Sequence, residues 1–403
     1  GMVSGSSVGN TVTTGSVTIP MMKKTGYPGE FAGAVEAAAS TGGQIMPPIM
    51  GAAAFIMAEM TGFEYSKIIV RAILPAFLYF LGIFLGVHFK AKKLGLKGLP
   101  REELPKWGKL LPKIYLLLPL VLLVYMIVSG QTMAKSAIYA TIAAIAVSLI
   151  NKDDRMTPTK FVNGLENGGK NCISIGIACG IAGIISVCIT MTGLGGKLIT
   201  YVVSLSNGHL IIALFLTMIC CIVLGMGVPT TANYIIMAST CAPILINGMG
   251  MHVLAANMFV FYFGIVADIT PPVALAAYAG SAIAKAPPMK TAFNATRLAI
   301  AAFIIPYIFA FNNAMIFVGD DVTVWSVASI TISATLGMLS IASGLMGYLI
   351  HDLKWISRIA LIAGGLLMII PGTVSDLAGF AVLAAIFVLQ TIENKKEKKA
   401  ASV

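Results

Sequence analysis

Apolar residues along this chain gather into long runs parted by short polar breaks, and the runs are apolar on every side, unlike the one-sided stripes of soluble helices. They lie at residues 30–60, 65–89, 113–129, 132–150, 171–204, 251–284, 295–318, 324–350, 356–370 and 373–391. Several exceed the roughly 20 residues that carry a helix across a bilayer. The pattern therefore predicts an all-α membrane protein. Two runs are interrupted: GGQIMPP at 42–48 and DITPPVALAA at 268–277 each place a proline pair inside an apolar segment. Proline removes a donor and disfavours helix at the residue before it, so these runs are predicted to be broken helices. Residues 157–170 are too polar to insert and predict a helix along the interface. Residues 209–247 hold two short apolar limbs around GMGVPTTAN, which predicts a re-entrant hairpin.

The two halves of the chain match. Asn10 and Asn233 lie 223 positions apart, as do Pro20 and Pro243, and the pairs Pro47-Pro48 and Pro271-Pro272 lie 224 apart. At this offset SSVGN (6–10) meets PTTAN (229–233), and Arg71 and Arg297 follow at 226. Such ordered self-similarity predicts an internal repeat in which each copy has a polar tip and a broken helix.

Charge decides orientation. Only 11% of the 403 residues are charged and 58% are hydrophobic, so a soluble enzyme is excluded, and the net charge of +11 sits in the polar breaks. A nucleic-acid partner is not expected. Lys90, Lys92, Lys93, Lys97, Arg101, Lys106, Lys109 and Lys113 mark the 90–112 loop as cytoplasmic by the positive-inside rule. Counting crossings from there puts Lys23, Lys24, NKDDR (151–155), Lys285, Lys290, Lys354 and the KKEKK tail inside, with Asp320 and Asp321 outside. Three crossings separate the copies, so the second is predicted to be inverted. The predicted units are a first repeat (1–89), the basic loop (90–112), a second repeat (113–318) with the 157–170 arm and the 209–247 hairpin, extra spans (319–391) and a basic tail (392–403).

Two tips and two unwound stretches near the midplane suit an ion-coupled transporter of an anion. Irregular backbone survives at that depth only where it lines a cavity, and half-helix amides favour anions while carbonyls and hydroxyls favour sodium. Asp268 is the leading cation candidate, since a charge is costly in an apolar span and its repeat mate is neutral Gln44. Alternatively it caps the following half-helix near Thr270. Asn10 and Asn233, matched in both tips, and Ser6, Ser7, Thr230 and Thr231 are candidate binding residues that could equally be turn or cap residues. Arg71 and Arg297 are expected to reach to headgroups, and Glu36 and Glu59 to face a polar cavity or simply the helix ends. The six cysteines and four histidines have no metal-ligand spacing, so no metal cluster, disulfide or cofactor is expected.

The segments GMVSGSSVGNTVTTGSVTIPMMKKTGY, STGGQIMPPIMGAAAF, GMGVPTTANYIIMASTCAPIL and ADITPPVALAAYAGSAIA resemble the large membrane subunit of TRAP (tripartite ATP-independent periplasmic) transporters, and more closely the fused permeases that work with TAXI-type binding proteins. The resemblance covers residues 1 to about 318. It implies an elevator-type symporter with the ion-transporter fold in the inner membrane. Such a protein imports carboxylates such as glutamate or 2-oxoglutarate with Na+ as coupling ion, from an extracytoplasmic TAXI-type solute-binding protein. Carried over residue by residue, it implies sodium ligands Ser6, Asn10, Gly42, Gly43 and Gln44 at one site and Gly227, Thr230, Asn233, Asp268 and Thr270 at the other. Substrate would lie between the tips at Ser7, Asn10, Thr231 and Asn233. Against the family pattern, the first limb of the first hairpin and the small-subunit region are missing, so an N-terminally truncated chain is expected. The spans after 318 resemble the extension of fused members and are expected to brace the scaffold against lipid.

Three other functions compete. A dicarboxylate or citrate carrier that needs no binding protein would share the fold. A channel would not need paired hairpins, and an intramembrane enzyme would need a base or metal partner for Asp268 that the sequence does not offer.

Overall fold

The computed structural model describes residues 5–98, 102, 107–150, 155–319, 322–370 and 372–400. The expectations for Asn151 to Asp154, Asp320 and Asp321, Arg101 and Lys106, and the side chains of the KKEKK tail lie outside the described residues. The chain is nearly all helical: α1 (Ser7–Lys24), α2 (Gly29–Gly43), α3 (Ala52–Thr61), α4 (Tyr65–Lys93), α5 (Trp107–Leu110), α6 (Leu118–Val128), α7 (Met133–Ile150), α8 (Pro158–Met191) and α9 (Leu194–Ser206). There follow α10 (Leu210–Gly225), α11 (Thr230–Thr240), α12 (Val253–Val266), α13 (Leu275–Ala284), α14 (Pro288–Leu298), α15 (Ile300–Phe311), α16 (Val324–Met346), α17 (Trp355–Leu367) and α18 (Thr373–Ala400). Among the described residues, five helices are long and apolar enough to cross a membrane: Tyr65–Lys93, Leu111–Val128, Pro288–Phe311, Val324–Met346 and Thr373–Asn394.

Both proline-interrupted runs break as the sequence predicts. The first divides into α2 and α3 around residues 44–51, and the second into α12 and α13 around a 3₁₀ turn at Ala267–Ile269 and residues 270–274. Each break leaves through positive φ, at Met50 and Gly51 in one and Ala274 in the other. The 209–247 segment is a hairpin, with α10 and α11 joined by a tip in which Gly227 takes φ +77°.

Residues 157–170 are helical from Pro158 and form the first turns of α8, which continues to Met191. After Pro158 this stretch has no proline, and glycine permits a break without forcing one. The run at 171–204 is instead split at Thr192 and Gly193, where Gly193 is left-handed and the helices on either side bend by 70°.

Helix α12 sits at the centre and is buried all round from Leu254 to Val266, as a helix apolar on every face should be. Phe259 and Phe263 pack with Tyr307 on one flank, and Tyr262 with Phe309. Helix α4 presents Val70, Ile73, Phe77 and Phe84 outward at helical spacing, a surface suited to lipid. Each tip helix lies in an equivalent pair of contacts: α1 packs against α2 and α13, and α11 against α12 and α3. Each therefore touches the first half of one broken helix and the second half of the other.

Arg71 and Arg297 do not simply reach to headgroups. Arg71 lies over the Phe63 ring, 5.4 Å from its centroid. Arg297 donates to the carbonyl of Leu345, which also accepts from Arg358 at 3.2 Å, so two guanidinium groups cover the carbonyl end of α16. Helix α16 runs along α4, and α17 and α18 follow behind it through glycine contacts; a Cβ on Gly365 would lie 2.7 Å from the Gly337 carbonyl, and one on Gly379 would lie 2.4 Å from that of Gly364.

In the polar turn before α12, His252 Nδ1 accepts from the Leu254 N–H at 3.1 Å, which requires the neutral ring. Burial, and then nearby Arg71, lower its pKa from the usual histidine value. The unfolded chain therefore takes up this proton first as pH falls. The cap's stability is fully present above about pH 6.5 and declines as pH drops toward the depressed folded value. Melting of the detergent-solubilised chain between pH 7.5 and 5.5 is expected to show this loss, and His252→Asn, an equally good cap that does not titrate, should flatten it.

Candidate functional site

The first tip is built by backbone proximity. Gly5 takes φ +62° and its Cβ, if present, would stand 3.0 Å from Gly51 Cα, so the entry to α1 rests directly on the exit of the first break. Ser6 then caps α1, its Oγ accepting from the Gly9 N–H at 3.1 Å. One residue on, Ser7 is buried and donates through Oγ to Asp268 Oδ2 at 2.5 Å. Asn10 turns the other way along α2, donating to Ser40 Oγ at 2.8 Å and to Thr14 Oγ1 at 3.3 Å.

Asp268 sits in the 3₁₀ turn of the second break, 7% exposed. No Lys, Arg or His nitrogen lies within ion-pair distance of it among the described residues. It does not cap α13: that helix starts at Ala274 with no side-chain cap, and Thr270 Oγ1 bonds back to the Val266 carbonyl at 2.8 Å. The alternative of a helix cap is therefore set aside. Asp268, which the resemblance groups with the second-tip residues, takes its hydrogen bond from Ser7 of the first tip. Contacts across halves, which α1 and α13 make here, have no signature in local sequence.

The second tip holds Asn233 in a slot between glycines. A Cβ on Gly225 would fall 2.7 Å from Asn233 Nδ2, and this amide donates to the Gly264 carbonyl at 2.9 Å. Its Oδ1 is buried without a hydrogen-bond partner among the described residues. Thr230 and Thr231 form the first turn of α11, half-buried, with no side-chain hydrogen bond among the described residues. In the first break, Gln44 is 1% exposed and neither Oε1 nor Nε2 finds a partner among the described residues. Buried polar atoms are seldom left so, and an acceptor oxygen left over in each half suits a ligand.

Gly42 and Gly43 have a structural part beside the ligand role that the resemblance implies. Their carbonyls accept from Ile45 and Met46 within the turn, at 3.1 and 3.4 Å. A Cβ on Gly42 would fall 2.1 Å from Tyr79 Cε1, so this glycine makes room for a fully buried tyrosine whose hydroxyl donates to the Ala38 carbonyl at 2.7 Å.

Three residues that the sequence did not single out hold the breaks open. Tyr65 donates to the Ile49 carbonyl at 2.5 Å, or to that of Pro48 at 2.8 Å. Tyr278 donates to the Pro272 carbonyl, and Thr296 Oγ1 to that of Ile269 at 2.9 Å. Unwound carbonyls in an apolar setting need such donors. A tyrosine one helix away from a proline pair carries no sequence mark of that task.

Comparison with known proteins follows the same segments. The family model for "Tripartite ATP-independent periplasmic transporter, DctM component" matches residues 1–320. The chain is 26% identical over 294 residues to the uncharacterized protein y4mL of Sinorhizobium fredii, covering 71% of this chain and 68% of that one. It is 24% identical over 291 residues to the C4-dicarboxylate TRAP transporter large permease protein DctM of Pseudomonas aeruginosa, covering 71% of this chain and 66% of that one. The chain thus spans about two thirds of the length of these relatives.

Proposed function

The chain belongs to the DctM-component family of tripartite ATP-independent periplasmic transporters, and from that premise we propose that it is the permease part of a sodium-coupled importer of small carboxylates. The substrate class would be C4-dicarboxylates, as the Pseudomonas relative's name states for that protein, or 2-oxoglutarate and glutamate. An extracytoplasmic solute-binding protein, of the TAXI type, would deliver the substrate at the inner membrane.

The observation that carries this reading is the Ser7–Asp268 pair, a buried carboxylate without a counter-charge that receives a hydroxyl from the opposite half of the protein. An unpaired carboxylate in an apolar span is costly, and a sodium ion bound beside it would offset that cost. Gln44 Oε1 and Asn233 Oδ1 are further oxygens free for an ion or for substrate. The amides that open α1 and α11 would meet the carboxylates of the substrate. The matched contacts of α1 and α11 support an inverted-repeat arrangement, in which the tips and broken helices would travel together as an elevator.

The test is uptake of labelled succinate, glutamate and 2-oxoglutarate into proteoliposomes holding the full-length permease, with and without its binding protein. Uptake is expected only with the binding protein and an inward sodium gradient. Uptake driven as well by a proton gradient would overturn sodium coupling, and uptake without the binding protein would favour an autonomous carrier.

A further inference from the structure

A second buried carboxylate lies outside the tips and breaks. Glu36, midway along α2, is 7% exposed and has no Lys, Arg or His nitrogen within ion-pair distance among the described residues. Its Oε1 accepts from Thr14 Oγ1 and its Oε2 from Thr18 Oγ1, and Ser40 Oγ lies 3.3 Å from Oε1. Gly15 clears the space for its stem: a Cβ there would stand 3.1 Å from Glu36 Cγ. The residues at the repeat offsets of 223 and 224 are Phe259 and Val260, both apolar and buried, so the fold does not demand an acid at this place.

The cluster has more oxygens than hydrogens to share among them. Thr14 Oγ1 also lies 2.8 Å from the Asn10 carbonyl, and Thr18 Oγ1 lies 3.0 Å from the Thr14 carbonyl. Two carboxylate oxygens, three hydroxyl oxygens and two carbonyls therefore share five side-chain hydrogens, three from the hydroxyls and two from the Asn10 amide. Charges on α2 and the elements packed against it include Glu30 on α2, Lys23 and Lys24 at the end of α1, Lys290 and Arg297 on α14 and Asp268 in the second break. Of these, Lys23 is directed to the Ala284 carbonyl at 2.8 Å rather than to Glu36. A buried carboxylate ringed by hydroxyl oxygens in an apolar surround is a setting that suits a hard monovalent cation.

We propose that Glu36, Thr14, Thr18 and Ser40 form a binding site for a monovalent cation in the cytoplasmic half of the α1–α2 pair, separate from the Ser7–Asp268 contact. Thr14 and Thr18 follow Ser7 by seven and eleven residues on α1, which places this site about 10 to 16 Å along the helix from that contact. Asn10, one turn beyond Ser7 on α1, donates to both Ser40 and Thr14 of this cluster. The cation taken to fill the site is sodium, and only this identity rests on the transport reading above.

The experiment is equilibrium binding of radioactive sodium to the full chain in detergent, comparing the parent with Glu36→Gln, the double variant Thr14→Val with Thr18→Val, and Asp268→Asn. Glu36→Gln and the double variant are each expected to lose one bound sodium per chain, or to need at least about tenfold more sodium for half-saturation. Asp268→Asn should keep that ion. Should Glu36→Gln fail to fold, Thr18→Val alone removes one ligand and should show the same weakening. Parent stoichiometry and affinity in all the Glu36-site variants would overturn the proposal. No sodium bound by any form would overturn it together with sodium-coupled transport. Glu36-dependent binding alongside sodium-independent uptake would support the site and remove only the transport reading.

Discussion

Asparagine in place of Asp268 is expected to lower sodium-driven uptake about 100-fold or more, while expression and melting stay close to those of the parent. A loss of that size corresponds to about 2.7 kcal/mol. The side chains are nearly isosteric, and an asparagine oxygen can still accept from Ser7, so the hydrogen bond that joins α1 to the second break survives. What disappears is the charge. The carboxylate is buried with no protein cation beside it, so its negative charge is available to a bound ion and to nothing else among the described residues. If Asp268 served only as a polar peg between the halves, the amide would serve as well, and uptake within about twofold of the parent would dismiss the cation role. Uptake and melting measured on the same preparation separate these outcomes.

Valine at Gly280 is expected to prevent the transport core from packing. The backbones of α2 and α13 touch there: a Cβ on Gly280 would lie 2.6 Å from the Gly33 carbonyl oxygen, and one on Gly33 would lie 2.9 Å from that of Gly280. Overpacking against movable side chains costs about 1 to 3 kcal/mol. Here the obstacle is backbone and cannot rotate away, so about 3 kcal/mol or more is expected, and the helices would have to separate. Because α1 packs on both α2 and α13, that separation would also disturb the Ser7–Asp268 contact. The readout is the monodisperse yield and melting temperature in detergent. Gly180→Ala is the control, since a Cβ there meets nothing within 4 Å and alanine favours helix. A Gly280→Val chain that melts like the parent would show that the two helices have slack the structure does not display.

Much of the fold was legible because it follows from short-range physics. The proline pairs at 47–48 and 271–272 ended helices where the sequence predicts, and the GMGVPTTAN segment turned on Gly227 as a hairpin tip should. Where the sequence told less, the cue was weaker than a proline. The polarity of residues 157–170 suggested an interfacial helix, and it did not show that the same helix, α8, continues to Met191. Gly42 was singled out through the family resemblance, and its task of admitting Tyr79 had no mark in the sequence. Asp268 stood out by itself as a charge in an apolar run; Glu36 shared that mark, but without its hydroxyl partners the sequence could not tell it from a residue at a helix end.

By itself the sequence determined the solvent, the helical runs, where proline pairs break them and which polar residues stand at the tips. These depend on hydropathy and on proline and glycine geometry, which act within a turn or two of chain. Only the tertiary structure decided which polar groups meet. Ser7 and Asp268 are 261 positions apart, and Gly33 and Gly280 almost as far. Which of many buried hydroxyls faces a given carboxylate is set by how helices cross and how closely small residues let them approach, and no local pattern encodes that.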